Sequence, residues 1–296
     1  MSPRVAVVIP AFNAAATLEA AIASARRIGD GVEIVVVDDG SSDATGVIAK
    51  RLADTVVFQA NAGAAVARRA GASSSESEYL VFLDADDELD APGVRHSIAL
   101  LDADGEAAVA AGRVMALWPD GREGLLDRTY ATVDPESLVR RGFGPWPPAA
   151  AVFRRSSYAT AMTVTPVRLD TPYAEDYEML IRMAMVGSVV MHDEVTARYR
   201  IFDGKSSKLP VAALRSKEQI RAHYARHLGV LDVPLMNERQ VRASAAFKAS
   251  RAAAARGERF RAAVVGVRGV VQAPDLAMRA FTARARRFTQ RRPADA

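Results

Sequence analysis

The sequence predicts an α/β architecture: a mostly parallel sheet flanked by helices, with a helical C-terminal extension. Three observations carry this prediction. Short apolar, β-branched runs alternate with segments of helical periodicity through the first hundred residues. The connections between them are short, as right-handed βαβ units require. Beyond Pro210 the texture changes to alanine and arginine, read as helix.

Val5 to Ile9 is a continuous strand-forming run, and Pro10, Ala11, Phe12 and Asn13 make a sharp exit from it. Thr17 to Arg27 carries apolar and alanine positions at helical spacing and ends near Gly29. Glu33 to Val37 is a second strand, closed by the turn residues Asp38 to Asp43 (DDGSSD), among which Ser41, Ser42 or Asp43 can cap a helix running to about Leu52. Thr55 to Gln59 is a third strand. Asn61 to Gly71 (NAGAAVARRAG) then forms a glycine turn leading into a helix that bears Arg68 and Arg69. The fourth strand opens the stretch Tyr79 to Asp87, YLVFLDADD.

Further on, Gly93 to about Asp102 reads as helix, and Ala107 to Leu117 as a strand followed by the turn WPDGRE. Arg128 to Gly144 is ambiguous, and GPWPP at 144–148 is rigid loop. Ala149 to Phe153 reads as strand. Tyr173 to Gly187 reads as an amphipathic helix with acids in its first turn, and Ser188 to Met191 and Thr196 to Ile201 as two short strands. Helices are expected at Val211 to Leu228, at Gln240 to about Val271 (with breaks open at Gly257, Gly266 or Gly269) and at Pro274 to Arg287. The expected boundary separates residues 1–207 from 208–296.

Composition narrows the chemistry. With no cysteine, disulfides, thiolate catalysis and cysteine-held zinc are excluded, and the four histidines show no HExxH-like spacing. No apolar stretch approaches the ~20 residues of a membrane-spanning helix, and no signal-peptide pattern opens the chain, so a cytoplasmic location is expected. The net charge of +4 hides an asymmetry. Residues 211–296 hold 18 basic and 6 acidic groups, +12, which leaves 21 against 29, or −8, for residues 1–210.

Asp84, Asp86 and Asp87 follow directly on an apolar strand, and unpaired carboxylates cannot continue into a core. They belong at the strand's C-terminal edge, where open α/β sheets bind ligands. Hard oxygen groups so close together suit Mg²⁺ or Mn²⁺, particularly with substrate phosphates completing the shell; a solvated acidic turn is the alternative. Asp38 and Asp39 present carboxylates to a base N–H or a ribose hydroxyl, or else serve a helix-capping loop. Of Arg68 and Arg69, one can reach a diphosphate while the other sits in solvent. Glu175 and Asp176 stand at a helix start, where the dipole favours the ionised carboxylate a general base needs; ordinary first-turn acids are the alternative. Neither GxGxxG nor GxxxxGK[ST] occurs.

The order VVIPAFN, VDDGSSD, NAGAAVARRAG, FLDADD and, about 90 residues later, EDYEMLIR resembles the family 2 glycosyltransferases of the GT-A, Rossmann-like fold, over roughly residues 4–206. What the resemblance implies is a catalytic domain at residues 1–207 that moves a sugar from a nucleotide-diphosphate donor to an acceptor hydroxyl with inversion. Pro10, Phe12 and Asp39 then match positions that hold the donor's nucleoside, and Arg68 the arginine that approaches the donor. Asp84 and Asp86 match a DxD pair for Mn²⁺ or Mg²⁺, with Asp86 the direct metal ligand. Asp176 matches the base, with Glu175 beside it to orient substrate or loop. Arg182 matches an arginine one turn along, and Ala149 to Arg155 the strand lining the acceptor side.

Two positions depart from the pattern. Arg69 stands where asparagine is commoner. Tyr199 and Arg200 are followed by Ile201 and Phe202 without the frequent histidine, which leaves Arg200 and Lys205 to supply positive charge to metal or diphosphate. The expected partners are a nucleotide sugar, with UDP-sugars first, and a carbohydrate or lipid-linked acceptor in cell-surface polysaccharide or glycoconjugate synthesis, with no nucleic acid. The rival readings are a nucleotidyltransferase, whose glycine-rich phosphate loop VVIPAFN lacks, and a non-catalytic nucleotide-sugar-binding protein. The basic tail is read either as packed helices or as a peripheral contact with the inner face of the membrane through Arg256, Arg259, Arg261, Arg268, Arg284, Arg286 and Arg287.

Overall fold

The computed structural model describes residues 3–118, 120–201, 209–255, 257–275 and 278. The chain divides into two compact units, Met1–Asp170 with Glu175–Phe202, and Thr171–Ala174 with Asp203–Ala296.

The first unit opens with β1 (Val5–Ala11), α1 (Leu18–Arg26), β2 (Val32–Asp38), α2 (Thr45–Leu52), β3 (Thr55–Phe58), α3 (Ala64–Ser73) and β4 (Tyr79–Phe82). It continues through β5 (Glu88–Leu89), α4 (Ala91–Ala103), β6 (Ala107–Leu117), β7 (Glu123–Leu125), α5 (Pro135–Arg141), β8 (Ala151–Arg154), α6 (Arg155–Thr163), α7 (Glu175–Val186) and β9 (Ser188–Arg200). The strands form one sheet in the order β3-β2-β1-β4-β8-β6-β9-β5, with β7 paired to β6. β1 to β4 are mutually parallel, β8 runs against both neighbours, and β9 returns parallel to β6.

Side chains alternate across a strand, so β1 feeds two cores. Val5, Val7, Ile9 and Ala11 pack with Leu18, Ile22, Ala49, Val94 and Leu101, from α1, α2 and α4. Ala6 and Val8 pack on the opposite face with Ala67, Tyr158, Ala161 and Met183, from α3, α6 and α7. Helices thus cover both faces, as expected.

Four differences from the sequence reading have local causes. The ambiguous stretch contains α5, started by a capping box in which Ser137 N–H donates to the Asp134 side chain at 2.9 Å, with Pro135 in the first turn. The helix α6 (RSSYATAMT) was hidden by its serines and threonines; only Tyr158 and Ala161, three apart, are buried. The two short strands expected at 188–201 are one, β9. It runs through exposed Asp193 and Glu194, and its pairing to β6 shifts register between Ala111 and Arg113. No side-chain hydrogen bond caps α2: Ala44 is the N-cap residue, and Asp43 instead accepts from Thr45 N–H at 2.9 Å.

The second unit holds α8 (Pro210–Leu228), α9 (Glu238–Ala255) and α10 (Arg259–Gln272). Leu214, Val241 and Ala245 form a small core with Val211 and Met236. The expected long helix does break at Gly257, which adopts φ +79°. Lys205, Arg256, Arg284, Arg286, Arg287 and most of the helix expected at Pro274 to Arg287 lie outside the described residues.

Candidate active site

The parallel strands β1 to β4 bring their C-terminal ends to one edge of the sheet, and most of the predicted site residues lie there. Pro10 is buried in β1, opposite Val37. It shares the orientation of Val8, whose carbonyl accepts from Leu83 N–H at 3.0 Å. The N–H that proline lacks would point past the end of β4, so a proline is tolerated here in a central strand. Phe12 follows with 43% of its surface exposed. Asp39 N–H donates to Ala11 carbonyl at 2.8 Å, which places Asp39 beside it.

The Asp39 side chain is already engaged. Its carboxylate accepts from Gln59 Nε2 and Ala62 N–H, each at 2.8 Å, and from Gly63 N–H at 2.9 Å. It therefore braces the turn that starts α3, close to the capping role weighed as the alternative. A carboxylate offers about four acceptor sites, which leaves one for a ligand. Gly40, at φ +80°, lets the two loops approach: a Cβ there would lie 3.0 Å from Asn61 N.

Arg68 is the centre of the arrangement. Only 8% exposed, it donates through Nη2 to Asp84 Oδ1 at 2.6 Å and through Nη1 to Glu175 Oε1 at 2.7 Å. Burial alone would lower the pKa of this guanidinium, but Asp84, Glu175 and Asp176 outweigh it and hold the charge firmly in place. The arginine thus ties the DxD strand end to the ED helix start, reaching Glu175 across 107 residues of sequence from its own position.

The three aspartates after β4 have separate fates. Asp84 is clamped by Arg68. Asp86 is the exposed one, and yet the surrounding protein, and after it Asp84, raise its carboxyl above the ordinary range. Asp87 is 2% exposed and accepts from Arg200 N–H at 2.8 Å; burial pushes its carboxyl up to about 8. Asp87 therefore pins the end of β9. Arg200 was expected to offer its charge to metal or diphosphate, but its guanidinium is bound to Glu88 at 2.7 Å. Arg69, expected in solvent, lies 3.9 Å from Asp170 with its side chain 31% exposed. Arg182 is buried and donates to the carbonyls of Ala161, Val164 and Pro166, holding the chain that follows α6.

Glu175 and Asp176 differ sharply. Glu175 belongs to Arg68, whereas Asp176 is half-buried and accepts from the N–H of Tyr177 at 2.8 Å. Burial first, and then Glu175, raise the Asp176 carboxyl, with Arg68 opposing. The helix start was expected to favour the ionised carboxylate; burial and Glu175 act against that tendency here. Beside Asp176 opens a hollow of about 20 Å³, lined by Trp146, Pro148, Phe153, Tyr177 and Leu180. Phe153 comes from the strand expected on the acceptor side.

Tyr199 was noted only as part of a YR pair. Its phenol is pushed up to about 12, first by burial and then by the charges of Asp87, Asp84, Asp86 and Asp176. Neither this placement nor the role of Gln59 at Asp39 has a signal in the local sequence.

Asp84 and Asp86 offer hard oxygens of the kind a divalent cation takes, and would supply only part of its shell. Asp84 has one oxygen beyond its bond to Arg68, and Asp86 is exposed next to it. Among the described residues no group of three or more His, Asp or Glu is arranged around one point. Hard oxygen ligands from a second molecule would have to complete such a shell.

Residues 6–159 match the sequence model of Glycosyl transferase family 2, more than half of the chain. The chain belongs to this family. Among curated relatives it is 35% identical over 137 residues to the succinoglycan biosynthesis protein ExoU of Rhizobium meliloti (strain 1021), covering 40% of each chain. It is 35% identical over 125 residues to ExoO of the same organism, covering 40% of this chain and 36% of the relative. The chain thus spans about two fifths of the length of these relatives.

Among solved structures, S. aureus TarS 1–349 in complex with UDP-GlcNAc superposes with a TM-score of 0.57 at 17% identity, covering 92% of this chain and 89% of that one. The mannosyltransferase PcManGT of Pyrobaculum calidifontis, in complex with GDP-Man and Mn²⁺, gives 0.56 at 20% identity, covering 96% and 84%. At such identities the likeness establishes the fold, which is the GT-A fold expected. No helix among the described residues is long and apolar enough to cross a membrane.

Proposed function

We propose that this family 2 member is a cytoplasmic, metal-dependent, inverting glycosyltransferase, with residues 1–207 as its catalytic domain and 208–296 as a helical extension. It transfers a sugar from a nucleotide-diphosphate donor to an acceptor hydroxyl in polysaccharide or glycoconjugate synthesis. One observation supports this most: the Arg68 fork gathers Asp84 and Glu175 into a single cleft edge and leaves Asp176 outside its hydrogen bonds. Of the two acids in the ED pair, Asp176 is therefore the one with a carboxylate available to an incoming hydroxyl.

In this reading Pro10, Phe12 and the remaining acceptor site of Asp39 receive the nucleoside. Asp84 and Asp86 would hold Mn²⁺ or Mg²⁺, which offsets charge on the departing nucleoside diphosphate. Arg68 keeps Asp84 and Glu175 in place and adds positive charge behind the donor. Asp176 removes the acceptor proton as the hydroxyl attacks the anomeric carbon from the far face. Burial and Glu175 raise its pKa, which makes its carboxylate a stronger base than an ordinary aspartate's. The strand that carries Phe153 lines the acceptor side; the hollow of about 20 Å³ beside Asp176 has room for about one water and does not itself hold a sugar. The names of the relatives and neighbours favour an exopolysaccharide acceptor and a UDP- or GDP-sugar donor.

The test is a turnover assay across UDP-, GDP- and dTDP-sugars with an exopolysaccharide-type acceptor, with Mn²⁺ and with EDTA, alongside donor titration by calorimetry. Donor affinity should collapse in EDTA and in Asp86→Ala. Equal affinity in all conditions would remove the metal role, and binding without any transfer would favour the non-catalytic reading.

A further inference from the structure

The helix α10, Arg259–Gln272, presents an unusual surface. Phe260 is 84% exposed, Val264 54%, Val267 62% and Val271 76%. Their spacing is i, i+4, i+7 and i+11, which at 3.6 residues per turn places them within an arc of about 60°. This stripe is fixed by what lies behind it. Ala262 and Gly269 are buried on the opposite side, and Ser250 Oγ of α9 donates to Ala262 carbonyl at 2.7 Å. A Cβ on Gly269 would lie 2.8 Å from the Phe247 ring, and one on Gly266 3.1 Å from Ser250 Oγ. The glycine face therefore seats α10 closely on α9. The valine and phenylalanine face is left pointing outward.

Charge flanks the stripe. Arg261 and Arg268 lie along one side of it and Arg259 along the other, all exposed, and α10 contains no acidic residue. Arg261 pairs with Glu258 at 3.0 Å, at the N-terminal end of the helix. The surrounding region, residues 211–296, carries a net +12. A helix with an apolar face bordered by arginines, on a strongly basic region, has the construction of an element that lies in the plane of a bilayer. The apolar side chains enter the acyl boundary while the guanidinium groups meet lipid phosphates. A protein partner covering four apolar residues would not require a cationic border on both sides of them.

We propose that α10 docks the protein on the surface of an anionic lipid bilayer, with Phe260, Val264, Val267 and Val271 inserted and Arg259, Arg261 and Arg268 at the headgroups. Two separable contributions follow, one apolar and one electrostatic. Both can be read without turnover, so the proposal stands or falls independently of the assigned chemistry.

The experiment is flotation of the full chain with phosphatidylcholine vesicles, with and without 30% phosphatidylglycerol. Partition onto the anionic vesicles should exceed that onto neutral ones by roughly tenfold or more, and 0.5 M NaCl should reduce it strongly. V264E/V267E changes only exposed positions and should abolish partition while the thermal unfolding midpoint stays put. R259Q/R268Q should lower partition by roughly tenfold. A tryptophan placed by F260W should be quenched by brominated acyl chains, which separates insertion from electrostatic adhesion alone. The proposal is overturned by equal partition on both vesicle types, by unaltered partition of V264E/V267E, or by an unquenched tryptophan. It is also overturned if the protein ignores vesicles and light scattering shows a dimer that V264E/V267E dissolves, for then the stripe joins two copies of the chain.

Discussion

Replacing Arg68 with methionine removes the group that joins the two halves of the site, and the structure sets the size of the effect. Losing one partner of a fully buried ion pair costs about 3–5 kcal/mol, because the other charge is stranded. Here the arginine side chain is 10% exposed but those of Asp84 and Glu175 are 37% and 30% exposed, so water reaches the stranded carboxylates. The expected loss is then about 2–3 kcal/mol. For a domain of this size that lowers the unfolding midpoint by about 4–10 °C. A second consequence concerns Asp176. Arg68 is the charge that holds its raised pKa down, so without it the carboxyl rises further. A base must be deprotonated, so the acid limb of kcat/KM should move to higher pH. Arg68→Lys keeps the charge but cannot span both carboxylates, and should fall between wild type and methionine. Thermal unfolding and a pH–rate profile read the two effects separately. An unchanged midpoint together with an unmoved acid limb would refute the idea that this guanidinium organises the site.

The remaining predictions concern other parts of the same unit. Asp176→Asn should cut transfer by about 10²–10⁴-fold with donor affinity nearly unchanged, and Glu175→Gln should do less damage; the reverse order, measured by steady-state kinetics and calorimetry, would exchange their roles. Gly93→Ala would bring a Cβ to 1.9 Å from Val195 carbonyl oxygen, so α4 must lift from β9, and chemical denaturation should show a loss of about 1–3 kcal/mol or more. His192 is buried, shares a 2.7 Å hydrogen bond with Ser97 and stacks on His96 at 4.6 Å; burial, then His96 and Arg128, lower its pKa to about 4. Its contribution is therefore full above about 6.5, where the unfolded chain is also neutral, and is lost as pH falls towards 4, by roughly 3 kcal/mol in all. His192→Gln should flatten the acid arm of the stability curve, and an unaltered slope would show that another group titrates there.

Much of the fold was legible because strand-forming runs in this chain are short, apolar and closed by turn residues. β1, β2 and β4 are buried along most of their length, so the run itself is the signal. β9 was not legible as one element. A strand that carries Asp193 and Glu194 outward across a register shift looks, locally, like two strands and a turn. The reversed direction of β8 is likewise a property of the sheet and not of AVFR. In the site, the positions of Asp84, Asp86, Glu175 and Asp176 were readable, because clustered acids at element ends contradict burial and periodicity. Their states were not. That Asp87 is buried and Asp86 exposed depends on where β9 ends, and Arg200 N–H, 113 positions away, is what satisfies Asp87.

Arg68 shows most directly what a local reading can and cannot carry. In NAGAAVARRAG two arginines stand side by side, and 100° of helix separates their directions. Nothing in that string says which one turns inward. The decision is made by small residues: Ala67, Gly71 and Ala72 are buried on the same helix, and a Cβ on Gly71 would lie 2.4 Å from Val8 Cγ1. Because that face has no bulk, α3 lies close against β1, and the long side chain next to it is carried along the sheet towards the strand ends. There it meets Asp84 at the end of β4 and Glu175 at the start of α7. Arg69, one position on, lies 3.9 Å from Asp170 instead. The alanines and glycines of this segment thus select the arginine that enters the site. Gly71→Ala should accordingly act on the site as well as on stability, since any outward shift of α3 withdraws the guanidinium from both carboxylates at once.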